Sequence, residues 1–461
     1  MPVRPLFRAT ALLAVALSVL SARPVHAQAA DTIRLGLEEA VTRVLRTSDE
    51  SRIADAQVAL LDAQVLSARA GGLPQIRLAS SYTQVIQNAR ADIVGQVFGQ
   101  RFTYNTNLQV QQSLFQGGRV VSASQAASRA ERAATATREE TRAQLAVGIQ
   151  RAYLNVVFTK RLLEIQQRNL VLADERLSQT EQLERAGRSS RYEVLRARVE
   201  RANLEPLVRQ SESDQQLAEL ELRRLLNLPL DRPLQLTTDL DAARVRSLAD
   251  AAAALTAPAG VRASVRAAEA TASARAAGIR VARADLLPSF NLTFTSGFLA
   301  LPRMNGFPTI FEQQNGWYPD QSFGFFFNWP LFDGLRAKGA IDLAQAQAQL
   351  ADFELRRVRE EANIDIAGAN AELARARAVA AARETTVQEA EEAFELATLR
   401  FSRGIGTQLE VSDAQLALLT ARSTDARATF DLYLAVAELA RVRAEPIPLP
   451  DGGSVSTRIS R

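Results

Sequence analysis

The chain has 461 residues, with 55 Lys and Arg against 51 Asp and Glu, a single histidine and no cysteine. The lack of cysteine excludes disulfides and a lipidated cysteine, and His26 falls in the leader described below. The mature chain therefore has no Ser-His-Asp or Cys-His site and none of the usual zinc or copper ligands, so neither an enzyme nor a cofactor is expected, with a carboxylate-pair hydrolase the one enzyme class that the residues leave open. Arg4, Arg8 and Arg23 also lie in that leader, which leaves the mature chain nearly neutral, with no clustered basic face to mark a nucleic-acid partner.

Residues 1–27 read as a secretory signal. Arg4 and Arg8 precede an apolar run from Ala11 to Leu20, and Pro24-Val25-His26-Ala27 places small residues before Gln28, so cleavage is expected after Ala27. No later stretch supplies the 18 or more apolar residues of a spanning helix. Leu37 to Gly72 then has helical character, with Glu38 and Glu39 in its first turn and Gly71-Gly72 at its end.

A period of two takes over at Pro74. Ile76, Leu78 and Tyr82 alternate with Gln75, Arg77, Ser81 and Thr83, and after a loop at 88–101 Phe102, Tyr104, Leu108 and Val110 alternate with Thr103, Asn105, Asn107, Gln109 and Gln111. These are two strands, each apolar on one face and polar on the other.

Leu114-Phe115-Gln116-Gly117-Gly118 turns the chain into a helix that runs to Gly187 without a proline and would be on the order of 100 Å long. Its apolar positions, Ile149, Ala152, Val156, Thr159, Leu163, Leu170, Ala173 and Leu177, step by three and four, a heptad stripe that implies coiled-coil packing. Ser190 to Asn227 is helical again, broken or bent at Pro206 and stopped before Pro229.

The order then repeats. Leu248 to Asp285 matches the first helix, Pro288 matches Pro74, Leu331-Phe332-Asp333-Gly334 matches Leu114 to Gly117, Gly404 matches Gly187 and Pro446 matches Pro229. The offset is 217 residues from the second strand onward, which also carries the heptad stripe to Ile366, Ala369, Leu373, Ala376, Ala380, Val387, Ala390 and Phe394. Two repeats follow, at 37–229 and 248–446, with a short tail at 447–461.

Strand alternation is sharper in the second repeat: Phe290, Leu292, Phe294 and Phe298 against Ser289, Asn291, Thr293 and Thr295, then Phe323, Phe325, Phe327 and Trp329 against Ser322, Gly324, Phe326 and Asn328. Aromatic apolar faces opposite Ser/Thr/Asn/Gln faces, in an exported chain, point to an outer-membrane barrel wall. Phe290, Leu292, Phe294, Phe323, Phe325 and Trp329 are then the lipid-facing set. Four strands cannot close in lipid, so several chains must share one barrel; three would give twelve strands. The segment from about Gly297 to Gln321 is too long for a hairpin turn and is expected to be an outward loop. The upper and lower short helices together match the long helix in length, so stacked end to end they would lie beside it. The expected fold is mainly α with a small β part, a trimeric α-helical barrel continuous with a 12-strand outer-membrane β-barrel, four strands per chain.

Signal, tandem repeats, strand pairs before long helices and the Pro330-Leu331-Phe332-Asp333-Gly334 turn together resemble the TolC-type outer-membrane efflux and secretion channels, over about Leu37 to Pro446. The two helix reversals carry the resemblance best: Gly187, Ser190, Glu193 and Val194 in the first, and Gly404, Thr407, Glu410 and Val411 in the second. Each also reads as a glycine stop followed by a capping box. The resemblance implies a homotrimeric passive conduit in the outer membrane, reaching into the periplasm. It also implies that these tips dock a periplasmic adaptor (a membrane fusion protein) which links the channel to an inner-membrane transporter, in an efflux pump or a type I secretion system. It implies in addition that Glu410 and Asp413, three residues apart on one helical face, ring the pore constriction. Phe401 and Gly406 stand where some relatives close the tip with Tyr and Arg. The alternative that the residues leave open is a secreted structural coiled-coil protein of the cell envelope.

Overall fold

The computed structural model describes residues 33–87, 102–230, 232–255, 258–300, 317–451 and 453–455. The leader at 1–27, with its expected cleavage after Ala27, and positions 301–316 of the expected outward loop lie outside these residues. In chain order, β1 (Ile33–Leu35) leads into α1 (Leu37–Thr47) and α2 (Asp49–Ala70), strands β2 (Gln75–Gln84) and β3 (Phe102–Gln116), then α3 (Arg119–Arg185) and α4 (Arg191–Leu225). The second half follows as β4 (Leu234–Leu236), α5 (Ala242–Ala253), α6 (Ala263–Arg283), β5 (Ser289–Ala300), β6 (Trp317–Asn328), α7 (Arg336–Ser402) and α8 (Gln408–Val442), with short β7 (Ile447–Pro448) and β8 (Ser454–Val455) after it.

Helices α3 and α7 are 67 residues each, about 100 Å. The heptad stripe faces inward on both: Ile149, Val156, Thr159 and Ala173 are buried on α3, and Leu373, Ala376, Ala380 and Ala390 on α7. Two stretches expected as single helices are divided, and at Pro206, where a break or a bend is expected, the helix is unbroken. Leu37 to Gly72 is two helices, because Ser48 takes an extended backbone and its Oγ accepts from the Ser51 amide at 3.2 Å, which caps a new helix. The stretch from Leu248 to Asp285 is likewise divided, into the end of α5 and α6, around Pro258 and Gly260. Helix α4 continues through Pro206.

The short helices stack end to end into columns beside the long ones. Where α4 meets α1, Arg43 donates to the Leu226 carbonyl and Asn227 to the Thr47 carbonyl, both at 3.3 Å. Where α8 meets α6, the Gly260 amide donates to the Arg443 carbonyl at 2.9 Å, and Glu140 of α3 holds both Arg262 at 2.7 Å and Arg441 at 2.9 Å. Arg262 also reaches Asp365 of α7 at 2.5 Å, so one charged cluster ties the joint to both long helices. The columns run in the order α2/α4, α3, α6/α8, α7, a single-layer wall.

A collar wraps this wall at mid-height. β1 pairs with β4 in parallel, β7 with β8 antiparallel, and α1 and α5 complete it. Its core holds Leu35, Leu37, Ile447 and Leu449, and two tyrosines fasten it to the wall. Tyr153 donates to the Leu35 carbonyl at 2.9 Å and accepts from the Thr238 amide at 3.0 Å, while the Tyr433 hydroxyl sits 2.8 Å from the Pro448 carbonyl and 2.9 Å from Gln150 Oε1. Burial pushes both phenols above their ordinary value, so neither ionises in the physiological range. Tyr153→Phe leaves the Thr238 amide unpaired, while the Leu35 carbonyl keeps the Thr237 amide at 3.0 Å, and is expected to cost about 1–3 kcal/mol, read as a lower melting temperature of the purified channel.

Strands β2, β3, β5 and β6 form one antiparallel sheet in that order. β3 passes into its helix through a bulge at Leu114, where the pairing steps from Ser113 to Phe115. β5 and β6 extend to Ala300 and from Trp317, so both ends of the expected loop from Gly297 to Gln321 are strand.

Candidate functional site

The sheet gathers the lipid-facing set row by row. Phe290 lies opposite Phe327, Leu292 opposite Phe325 and Phe294 opposite Phe323, all on one face, with Asn291 and Thr293 on the other. The Phe290 ring packs 5.0 Å from Phe327 and 5.8 Å from Phe325. Trp329 lies just beyond β6 and donates to the Leu286 carbonyl at 3.1 Å. Phe294, Phe323, Phe325 and Trp329 are exposed, Phe323 at 70% and Phe325 at 58%, while Phe290 and Leu292 are half-buried among their neighbours on this face. Phe326 is the exception on the polar face: its ring folds over Gly324, where an added Cβ would meet it at 2.8 Å.

At the opposite end stand the two helix reversals. Gly187 and Gly404 end α3 and α7 with φ of 70° and 73°, the left-handed conformation that glycine takes without strain. Ser190 then caps α4 reciprocally, its Oγ accepting from the Glu193 amide at 3.3 Å while the Ser190 amide donates to the Glu193 carboxylate at 3.1 Å. A hydrogen bond from the Ser189 hydroxyl, followed by that from the Ser190 amide, holds Glu193 below the ordinary carboxylate range. This part of the cap is present above the ordinary carboxylate pKa and is lost as pH falls through the lowered value.

The second reversal is built differently from the expected capping box. Thr407 Oγ1 accepts from the Glu410 amide at 3.3 Å, but the Glu410 carboxylate turns to the Thr407 hydroxyl at 3.4 Å and to Arg400 Nε at 3.5 Å. Gly406 is held by close backbone approach, since an added Cβ would lie 3.0 Å from Arg400 Cβ and from the Phe401 amide nitrogen. Any side chain at 406 requires the Arg400–Phe401 backbone to give way by a few tenths of an ångström. Asp413 is exposed, one turn above Glu410.

Of the tip residues expected to dock a partner, Val194 and Val411 are buried within their hairpins, and Gly187, Ser190, Gly404 and Thr407 are exposed. Sequence reasoning missed the side chains that do project: Tyr192 is 70% exposed and Ile405 66%. It also missed a buried polar cluster above the tips. Arg176 of α3 pairs with Glu200 of α4 at 3.2 Å, donates to Ser412 of α8 at 3.0 Å and also to Gln415 of α8. Ser412 donates to Glu200 at 3.0 Å, Gln415 to Asn169, and Gln408 to Thr180 at 3.2 Å. Burial draws the Arg176 guanidinium below its ordinary value, with Glu200 opposing the shift. Asn169, Arg176 and Thr180 lie at three-and-four spacing against Gln408, Ser412 and Gln415, but beside the apolar stripe of Leu170, Ala173 and Leu177, where polar residues read in sequence as a solvated helical face.

A wall of coiled-coil columns continuous with an amphipathic strand sheet is the fold of an outer-membrane efflux channel. The chain belongs to the outer membrane efflux protein family, whose pattern matches residues 43–228 and 260–444. It is 28% identical over 411 residues, 85% of this chain and 82% of the relative, to the pyoverdine export outer membrane protein OpmQ of Pseudomonas putida. Among solved structures it resembles CusC (TM-score 0.73, 18% identity, 89% of this chain and 92% of that one). It also resembles the outer membrane protein VceC of Vibrio cholerae (TM-score 0.71, 22% identity, 88% and 95%). The protein is thus a channel of the outer membrane that extends into the periplasm, and not an enzyme.

Proposed function

We propose that this chain is the exit duct of a pump spanning both membranes, a homotrimeric passive conduit that receives cargo from an inner-membrane transporter through a periplasmic adaptor. The observation that carries a shared barrel is the pair of open edges: among the described residues the outer sides of β2 and β6 have no strand partner, and an exposed edge in lipid is not tolerated. Three chains supply twelve strands and twelve helical columns, with outer-membrane lipid against Phe290, Leu292, Phe294, Phe323, Phe325 and Trp329. The adaptor reads the tips around Gly187, Ser190, Glu193, Val194, Gly404, Thr407, Glu410 and Val411, with Tyr192 and Ile405 as the projecting anchors. Pyoverdine export by the relative supports small-molecule efflux over secretion of a protein. A photo-reactive amino acid at Tyr192 or Ile405 is expected to capture a periplasmic partner in intact cells; capture from mid-wall Thr141 and not from the tips would refute this docking mode.

Glu410 and Asp413 ring the constriction in this reading. Arg400 offsets Glu410, so Asp413 supplies most of the field, which favours cations and binds multivalent ones. Single-channel recording is expected to show weaker cation preference and weaker block by a trivalent cation in Asp413→Ala, with little added by Glu410→Ala. Unchanged block in the double variant would leave Glu410 and Asp413 as solvated surface.

A further inference from the structure

We propose that Arg77 sets a ring of unneutralised positive charge in the bore where the helical wall becomes the barrel, a site that gathers anionic solutes, those bearing carboxylate, sulfonate or phosphate groups, as they leave. This rests on the trimeric barrel proposed above, with the polar face of the strands towards the bore.

The sheet fixes where Arg77 stands. It is the third residue of β2, close to the end of that strand which follows α2, and it is exposed. Pairing puts it in one row with Gln109, Thr295 and Ser322, on the face that also carries Asn291 and Thr293. Among the described residues of the four strands one other side chain is charged, Asp320 of β6, in the row of Ala79, Asn107 and Gly297. That carboxylate lies three strands across and two residues along, about 16 Å away within the chain, which is too far to pair. The duplication does not call for a cation here: Pro74 matches Pro288, so the counterpart of Arg77 is the uncharged Asn291.

The rest of the row points to the same class of solute. Among the described residues Arg77 makes no ion pair and no hydrogen bond, and the side chains of Gln109, Thr295 and Ser322 make none either. Farther along this face the chain does satisfy itself, with Asn107 donating to Asn105 at 3.1 Å. The Arg77 row therefore offers a full positive charge, an amide N–H and two hydroxyls, all uncommitted, with no carboxylate among them. An anion can take a charge-assisted bond from the guanidinium and weaker ones from its neighbours, whereas a cation finds repulsion.

The size of the bore lets the charge act on what passes through it. Twelve strands about 4.8 Å apart and tilted by about 40° close at a backbone radius of about 12 Å. Arginine reaches inward from that circle, and the Debye length in physiological salt is about 8 Å, so the fields of three such groups overlap at the axis. Low-dielectric walls strengthen them further, as in charged rings of other pores. With Asp413 at the tip, the bore then changes sign along its length, from cation-favouring at the periplasmic entrance to anion-favouring where the barrel begins.

Because the chain has no cysteine, one introduced thiol reports the local field. Thr295→Cys, two strands from Arg77 in its row, is treated in reconstituted channel with an anionic methanethiosulfonate (the ethylsulfonate) and a cationic one (the ethyltrimethylammonium), and the two rates are read by mass. In low salt the anionic-to-cationic rate ratio is expected to fall several-fold when Arg77→Gln is added, to hold in Arg77→Lys and to fall further in Arg77→Glu, with the differences shrinking in high salt. Phe294→Cys, on the opposite face, is expected to react with neither reagent. Inositol hexakisphosphate added on the barrel side is expected to reduce single-channel current, and to do so several-fold less in Arg77→Gln. If Thr295→Cys reacts but its ratio and the block are the same with and without the guanidinium, the charge is cancelled within the assembly; the anion site is then overturned and the bore stands. If Phe294→Cys reacts and Thr295→Cys does not, the faces are reversed and the barrel reading itself fails.

Discussion

Phe294→Arg is expected to cost about 2–4 kcal/mol per subunit and to empty the outer membrane of assembled channel, while Thr293→Arg, one residue away, is tolerated. The two positions differ only in the face they occupy. Phe294 shares a row with Ile76, Val110 and Phe323 near the middle of the sheet, and Thr293 shares one with Gln75, Gln111 and Gly324. A guanidinium on the first row enters hydrocarbon, where it has neither water nor a counter-charge. On the second it enters the water-filled bore. The measurement is the amount of heat-resistant oligomer in outer-membrane extracts. Equal loss from both variants, or from neither, would contradict a lipid-facing row and return the sheet to an ordinary soluble role.

Arg176→Ala is the second large effect, and it falls on gating. The side chain is 11% exposed and bonds α4 and α8 at once, so its loss removes the counter-charge of Glu200, which keeps only the Ser412 hydroxyl, and the donor to Gln415 Oε1, at a site with little water to replace it. Hydrogen bonds to charged groups are each worth about 1.5–3 kcal/mol, and about that much of the docking of α8 against α3 and α4 is expected to go with the guanidinium. Any widening of the tip that carries α8 away from α3 must break this same cluster. The variant is therefore expected to conduct more in lipid bilayers and to admit large antibiotics into cells, with the barrel and collar unaffected. Arg198→Ala is the comparison. That residue meets Glu181 at 3.1 Å but is 57% exposed, and such surface pairs contribute only about 0.2–1 kcal/mol. Equal conductance in the two variants would refute the clasp.

Periodicity alone determined most of the architecture. The change of period at Pro74, the heptad stripe from Ile149 and its return 217 residues later are local properties of the chain, so two long helices, four strands and a duplication were legible without coordinates. The faces of the strands were legible for the same reason, since side chains alternate whatever the sheet does next. The tertiary structure decided what depends on residues distant in sequence. Ser48 caps a new helix through a local bond to the Ser51 amide, but the joint is fixed by α4, whose end takes Arg43 on the Leu226 carbonyl and gives Asn227 to the Thr47 carbonyl. Glu410 leaves its own backbone because Arg400, across the turn, competes for it. Arg176, Glu200 and Gln415 look like solvated charge and amide in a helical sequence, and only the packing of α8 between α3 and α7 buries them together. The tip valines show the same limit: the motif marks the reversal, but whether a side chain at it points into the hairpin or out to a partner is settled by the helix beside it.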